Sequence, residues 1–251
     1  MGSRAQGARS VKQEGIINLS KAISRARDSF LDLLFPRRCV ACDRLGEFIC
    51  PECESGMPVI GAPRCHRCGN PGSSPCLCIA EGTRIWPLDG MRSAFLFESP
   101  VREAVLALKY ANLRSVGRAL SGYAAEMLTK DNLYFDVLVP VPLHGRRLRQ
   151  RGYNQSQIIA GHLGKELGIE VESRLLRRIT HAGPQARAAT ADERRANVAR
   201  AFQCGPGSLE GRKIALIDDV TTTGATLRAC ASALKRAGAG EVWGVTVARE
   251  L

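Results

Sequence analysis

Lys213 to Leu227 reads KIALIDDVTTTGATL, and this stretch decides the fold class. Ile214 to Ile217 is a short, branched apolar run of the kind that lies buried on both faces of a parallel sheet. Asp218 and Asp219 fall at its carboxyl end, followed by Val220, Thr221, Thr222, Thr223 and Gly224. A periodic apolar segment then opens at Ala225 and runs through Leu227, Ala231 and Leu234 to Gly238, so the turn leads into a helix. Three hydroxyls, a glycine that admits close backbone approach and the free amides of a helix start together suit a phosphate. The two carboxylates would repel a phosphate, but they suit the hydroxyls of an attached sugar or a magnesium ion. Neither GxxxxGK nor GxGxxG occurs here, so the turn is not a Walker A loop or a dinucleotide fingerprint.

Two acids followed by TTG and a further threonine, Thr226, resemble the ribose-phosphate signature of the type I phosphoribosyltransferases. The resemblance implies an α/β fold, a parallel sheet flanked by helices, that binds phosphoribosyl pyrophosphate with magnesium. In that comparison Asp218 and Asp219 hold the ribose diol and act as the catalytic pair. The ester phosphate sits on Thr221, Thr222, Thr223, Gly224 and Thr226.

At 251 residues the chain can hold one α/β domain and a small appendage. No apolar run approaches the length of a bilayer span, and no secretory apolar core stands near Met1, so a cytoplasmic location is expected. The formal net charge is +12, unevenly spread. Residues 1–90 carry 12 basic and 9 acidic side chains, net +3, and residues 91–251 carry 24 and 15, net +9. The excess therefore accompanies the phosphate chemistry, and a polyanionic substrate or a nucleic acid would both use it. An aromatic content of 5% argues against an extensive base-stacking platform.

Eight cysteines occur within forty residues: Cys39, Cys42, Cys50, Cys53, Cys65, Cys68, Cys76 and Cys78. Three of the four pairs are CxxC and the last is CxC, a pattern that reads as one or two structural zinc ions. Sequential pairing would join Cys39, Cys42, Cys50 and Cys53; alternation would join Cys39 and Cys42 with Cys65 and Cys68. Spacing leaves both open. Cys204 and Cys230 stand alone and read as small core residues. The expected organisation is a tail and amphipathic helix over 1–35, a zinc ribbon over 36–85 and an α/β domain over 90–251.

Within the α/β part, SAFLFE (Ser93–Glu98) and DVLVPVP (Asp136–Pro142) read as strands, Pro100–Tyr110 and Ser115–Leu128 as helices, and EVWGVTVA (Glu241–Ala248) as the last strand. Lys109 closes the first helix, a position that is usually solvated but can reach an anionic ligand. After Pro142 come Arg146, Arg147, Arg149 and Arg151 with no acid among them, then Gly152, Tyr153, Asn154 and Gln155 at the start of a helix through Leu167. Loops after parallel strands gather at one sheet edge, so these arginines are expected opposite the threonine turn, where a leaving pyrophosphate would need them. The polar stretch 180–197 reads as a cover over the site.

VPVP with its arginine run and RGYNQ, LFPRRC ahead of the cysteines, Gln185, and ERRANVARAF from Glu193 to Phe202 resemble the ComF/GntX-like family. That resemblance runs from about Leu33 to the last residue. It implies a zinc ribbon fused to a phosphoribosyltransferase fold, with members linked to DNA uptake in competent bacteria. Single-stranded DNA and uptake proteins follow from it as expected partners of a non-catalytic alternative.

Overall fold

A computed structural model of the chain describes residues 37–72, 76, 78, 86–179, 201–205 and 209–251. The expected N-terminal helix, Gln185 and the cover over 180–197 lie outside the described residues. Two compact units divide the chain, one ending at Cys50 and one running from Pro51 to Leu251.

The second unit opens with a short helix, α1 (Pro51–Ser55), and then alternates strands and helices. In order come β1 (Gly90–Leu96), α2 (Val101–Tyr110), α3 (Val116–Lys130), β2 (Val137–Pro140), α4 (Gly145–Arg151), α5 (Gln155–Leu167) and β3 (Glu170–Val171). After them follow β4 (Leu176–Arg178), β5 (Phe202–Cys204), β6 (Lys213–Thr221), α6 (Ala225–Arg236) and β7 (Glu241–Arg249). Five strands form one sheet in the order β1-β7-β6-β2-β3, every pairing parallel. β4 and β5 make a separate antiparallel pair.

The apolar run read as a buried strand is one because both its faces are covered. Val137, Val139, Ile214, Leu216 and Val242 join Leu227, Cys230 and Leu234 of α6 in one core cluster. The alternate residues Leu138, Ala215 and Ile217 are equally buried, and α3 and α5 pack on each other and on the strands. Cys230 is fully buried, as expected of a small apolar filler.

β6 is longer than the expected Ile214–Ile217: its pairing with β7 continues through Asp218↔Thr246 to Thr221↔Arg249. The carboxylates therefore lie on strand backbone, and only Thr222, Thr223 and Gly224 make the turn. From β2 the chain crosses to β3, and from β6 it crosses the other way to β7. β2 and β6 are thus neighbours at a topological switch point, and the crevice outside their carboxyl ends is where such sheets bind ligands.

The arginine run departs from the loop expected after Pro142. It folds as α4, with the His144 side chain capping its start and Gly152, at φ 76°, ending it in the left-handed region. Arg, Leu and Gln are strong helix formers and nothing between Gly145 and Gly152 interrupts them. The edge strand β3 and the strand β4 that pairs with β5 were not anticipated, because two or three residues carry too little periodicity to read.

Candidate functional site at the switch point

Four residues from three separate elements of the second unit meet at the carboxyl ends of β2 and β6. Asp218 and Asp219 come from β6, Ser156 from the first turn of α5, and Lys109 from the last turn of α2. Ser156 Oγ donates to Asp218 Oδ1 at 2.8 Å. The Lys109 ammonium lies 2.8 Å from Asp219 Oδ1, with side-chain exposures of 18% and 10%, so Lys109 is not the solvated helix end its position suggested. Backbone amides add to this: Asp219 N–H donates to Asp218 Oδ1 at 2.9 Å and Val220 N–H to Asp219 Oδ1 at 2.6 Å.

The two carboxylates are not equivalent. Burial, and then the charge of Asp219, push the Asp218 carboxyl up to about 7, against the lowering pull of Ser156. Asp219 instead holds the ammonium of Lys109. A pair held this way can accept hydroxyl donors and shares one partner cation.

The threonine turn follows directly. Thr221 is buried, Thr222 and Thr223 are exposed, and Thr226 is half-buried in the first turn of α6. Gly224 is the residue before the helix, at φ 72°, a conformation that disfavours any side chain. No side chain caps the helix; Thr223 Oγ1 approaches only Ala225 N–H, at 3.4 Å. The geometry leaves hydroxyls and a helix start together at the edge of the crevice.

The RGYNQS stretch positions the opposite wall. The buried Tyr153 hydroxyl donates to the Leu108 carbonyl. Asn154 accepts from Ser156 N–H at 3.2 Å and donates to the Val141 carbonyl at 2.9 Å, which ties α5 to the end of β2. Gln155 is buried with its amide nitrogen unpartnered. Arg114 stacks over Tyr153 at 4.5 Å and Arg151 over Tyr110 at 4.8 Å. Arg146, Arg147 and Arg149 are exposed on α4. Ser156, one residue beyond RGYNQ, was not among the residues expected at the site. The Asn-x-Ser start of a helix was its only signal. A cleft of about 440 Å³ lined by Met57, Phe95, Tyr123 and Met127 contains none of these groups.

The cysteines form two sequential tetrads. The sulfurs of Cys39, Cys42, Cys50 and Cys53 lie within 4.8 Å of one another, as do those of Cys65, Cys68, Cys76 and Cys78. Sequential pairing therefore replaces the alternating option. Burial raises the Cys39 thiol, but hydrogen bonds from the backbone of Cys50, Ala41 and Cys42 outweigh it and bring it down to about 6. Cys65 is brought to about 7 in the same way by the backbone of Cys68 and Arg67. Cys39 and Cys65 so placed favour the thiolate form that zinc takes, burial pushes the Cys68 and Cys78 thiols the other way, and four sulfurs in each set match the ion's tetrahedral demand.

The chain is similar to known proteins over much of its length. Residues 30–80 match the double zinc ribbon domain family. Competence protein F of Haemophilus influenzae is 29% identical over 202 residues, covering 78% of this chain and 83% of that protein. Competence protein ComFC of Bacillus subtilis is 28% identical over 203 residues, covering 76% and 80%. Among solved structures, the glutamine phosphoribosylpyrophosphate amidotransferase of B. subtilis overlaps with a TM-score of 0.37 at 22% identity. The overlap covers 51% of this chain and spans only 26% of that enzyme's length. By sequence the chain is similar to competence proteins of the ComF type over most of their length, and its match to a double zinc ribbon precedes the parallel α/β sheet.

Proposed function

We propose that the chain binds phosphoribosyl pyrophosphate with magnesium in the switch-point crevice, as a phosphoribosyltransferase-type site, in the cytoplasm. The observation that carries this reading is the contact of Ser156 with Asp218 across the crevice. It brings the sugar-binding carboxylates of one strand against the loop and helix start of the next.

Each group then has a role in the reading. Asp218 and Asp219 accept hydrogen bonds from the ribose 2- and 3-hydroxyls and stabilise positive charge developing at the anomeric carbon. Thr221, Thr222, Thr223, Gly224 and Thr226 seat the 5-phosphate at the start of α6. Lys109 holds Asp219 until the ligand enters and then lies within reach of its phosphate oxygens. Arg146, Arg147 and Arg151 face the pyrophosphate as it leaves. When bound, magnesium supplies charge neutralisation of the pyrophosphate, and the oxygen-rich carboxylate pair suits such a hard cation. The zinc ribbon, over 36–85, is structural. No residue identifies the acceptor nucleophile.

Calorimetric titration of phosphoribosyl pyrophosphate, with and without magnesium, tests the reading. Saturable binding is expected in the native chain and not in the double variant Asp218→Asn, Asp219→Asn. Equal binding by both proteins, or none by either, rejects it.

The exposure of Arg146, Arg147 and Arg149, together with relatives named competence proteins, favours a second reading in which the fold serves as a single-stranded DNA adaptor among uptake proteins. In that case replacing Arg146, Arg147 and Arg151 weakens DNA binding and flattens its salt dependence. An enzyme alone would show weak DNA affinity that those changes barely alter.

A further inference from the structure

The second cysteine tetrad is built into the sheet. Its first loop, Cys65 to Asn70, lies against β1 so closely that a side chain at Gly69 would overlap the Met91 carbonyl oxygen. Cys68 and Met91 belong to the same buried cluster as Leu227 of α6, and Cys65, Cys76 and Cys78 pack against that cluster. Two buried arginines from sheet strands, 7% and 3% exposed, bind the loop's backbone. Arg92 Nη1 donates to the His66 carbonyl at 3.0 Å, and its Nε to Asp131 at 3.0 Å. Arg249 donates one Nη to the Cys68 carbonyl and the other to Asn70 Oδ1.

Arg249 also stands at the phosphate turn. It is the last residue of β7 and is paired in register with Thr221, and the following amide, Glu250 N–H, donates to the Thr221 carbonyl at 2.9 Å. From the other side, the Met91 methyl lies 3.4 Å from where a Cβ of Gly224 would stand. Both ends of the turn are therefore supported by residues that touch the Cys65–Asn70 loop. A zinc ion held by four thiolates carries a fixed net negative charge, which the buried guanidinium of Arg249 complements.

We propose that Arg249 is a positioning residue that transmits the order of the second zinc knuckle to the threonine turn, so that ligand affinity at the turn depends on zinc at Cys65, Cys68, Cys76 and Cys78. The ligand half of this statement rests on the phosphoribosyl pyrophosphate reading; the coupling of knuckle to turn does not. Removing the zinc leaves Arg249 without a charged neighbour to complement and its loop without a fixed shape. The last rung of the β6–β7 ladder then loosens, and Thr221 with it.

Amide hydrogen exchange on the full zinc-loaded chain tests the coupling, with peptides over 218–226 compared against 137–139 in the buried strand β2. Arg249→Gln and Cys68→Ser are each expected to speed exchange over 218–226 about tenfold, a size usual for coupled sites. The double variant should be no faster than either single one, because both cut the same connection. Should Cys68→Ser fail to fold, Arg249→Lys replaces it: the charge stays, the two-pronged contact is lost, and intermediate exchange is expected. Exchange at 218–226 equal to the native chain in Arg249→Gln, or effects that add in the double variant, overturns the proposal. Phosphoribosyl pyrophosphate affinity should fall about tenfold in parallel. If the native chain binds none, the ligand reading fails while the exchange result still decides the coupling.

Discussion

The two cysteine tetrads differ in spacing only in their last pair, CxxC in the first and CxC in the second, and differ far more in what their surroundings demand of them. Around the first, the ion pair of Arg38 with Asp43, 2.8 Å apart, is exposed at 52% and 77%, and Gly46 turns at φ 125° with open space where a side chain would go. Around the second, Arg92 and Arg249 are buried, Asp131 pairs with both Arg64 and Arg92, and Gly69 touches strand backbone. A repeated ligand pattern thus encodes two different jobs, one met largely by the metal itself and one shared with a sheet.

That contrast can be broken most directly by removing one ligand from each tetrad. Cys68→Ser is expected to lower the melting temperature by more than Cys42→Ser, because it strands buried guanidinium groups. The cost of an uncompensated buried charge is about 3–5 kcal/mol, or roughly 10 °C in a chain of this size. Calorimetric melting with zinc content measured per chain checks it; equal losses in the two variants would erase the distinction.

Arginine substitution sharpens the same contrast without touching a ligand. Arg249→Ala should cost about 3–5 kcal/mol in denaturant unfolding, since it leaves the Cys68 carbonyl and the Asn70 amide oxygen unmatched in the interior. Arg38→Ala, by comparison, should cost roughly 0–1 kcal/mol. A smaller effect at Arg249 than at Arg38 would show that the buried contacts are dispensable.

Glycine replacements come next in size. Gly46→Ala meets only backbone strain, about 1–3 kcal/mol. Gly69→Ala adds an overlap with the Met91 carbonyl, worth about another 1–3 kcal/mol. Unfolding free energies of the two variants should differ by that margin, with Gly69→Ala the less stable.

A change of pH isolates the sheet edge from both tetrads. The Asp218 carboxyl is raised to about 7 from an ordinary 3.8. The native chain therefore keeps a proton that the unfolded chain has lost, and stability declines as pH climbs from about 4 to about 7. Asp218→Asn should flatten that decline. Melting of the zinc-loaded chain between pH 5 and pH 8 decides it, and an unaltered slope in the variant would show that another group is responsible.

What could be read from residues in order was whatever a short run contains by itself. The apolar run before Asp218, the glycine at 224 and the CxxC pairs each state their requirement locally, through burial on both faces, a positive φ or two thiolates on one ion. The β2 and β6 loops could even be assigned to one edge, because parallel strands leave no other arrangement. Partners brought in from a distance were not readable. Lys109 read as a helix end, usually solvated, that could reach an anionic ligand; only the packing of α2 pairs it with Asp219, 110 residues later in the chain. Nothing in the order of residues singles out Arg249, yet packing places it against a loop 181 residues away. Sequence alone determined which chemistries this protein carries, since those depend on residue types and near neighbours. Only the tertiary structure decided which charges neutralise one another and which cysteine tetrad joins the sheet, because burial and long-range pairing exist only once the chain has closed on itself.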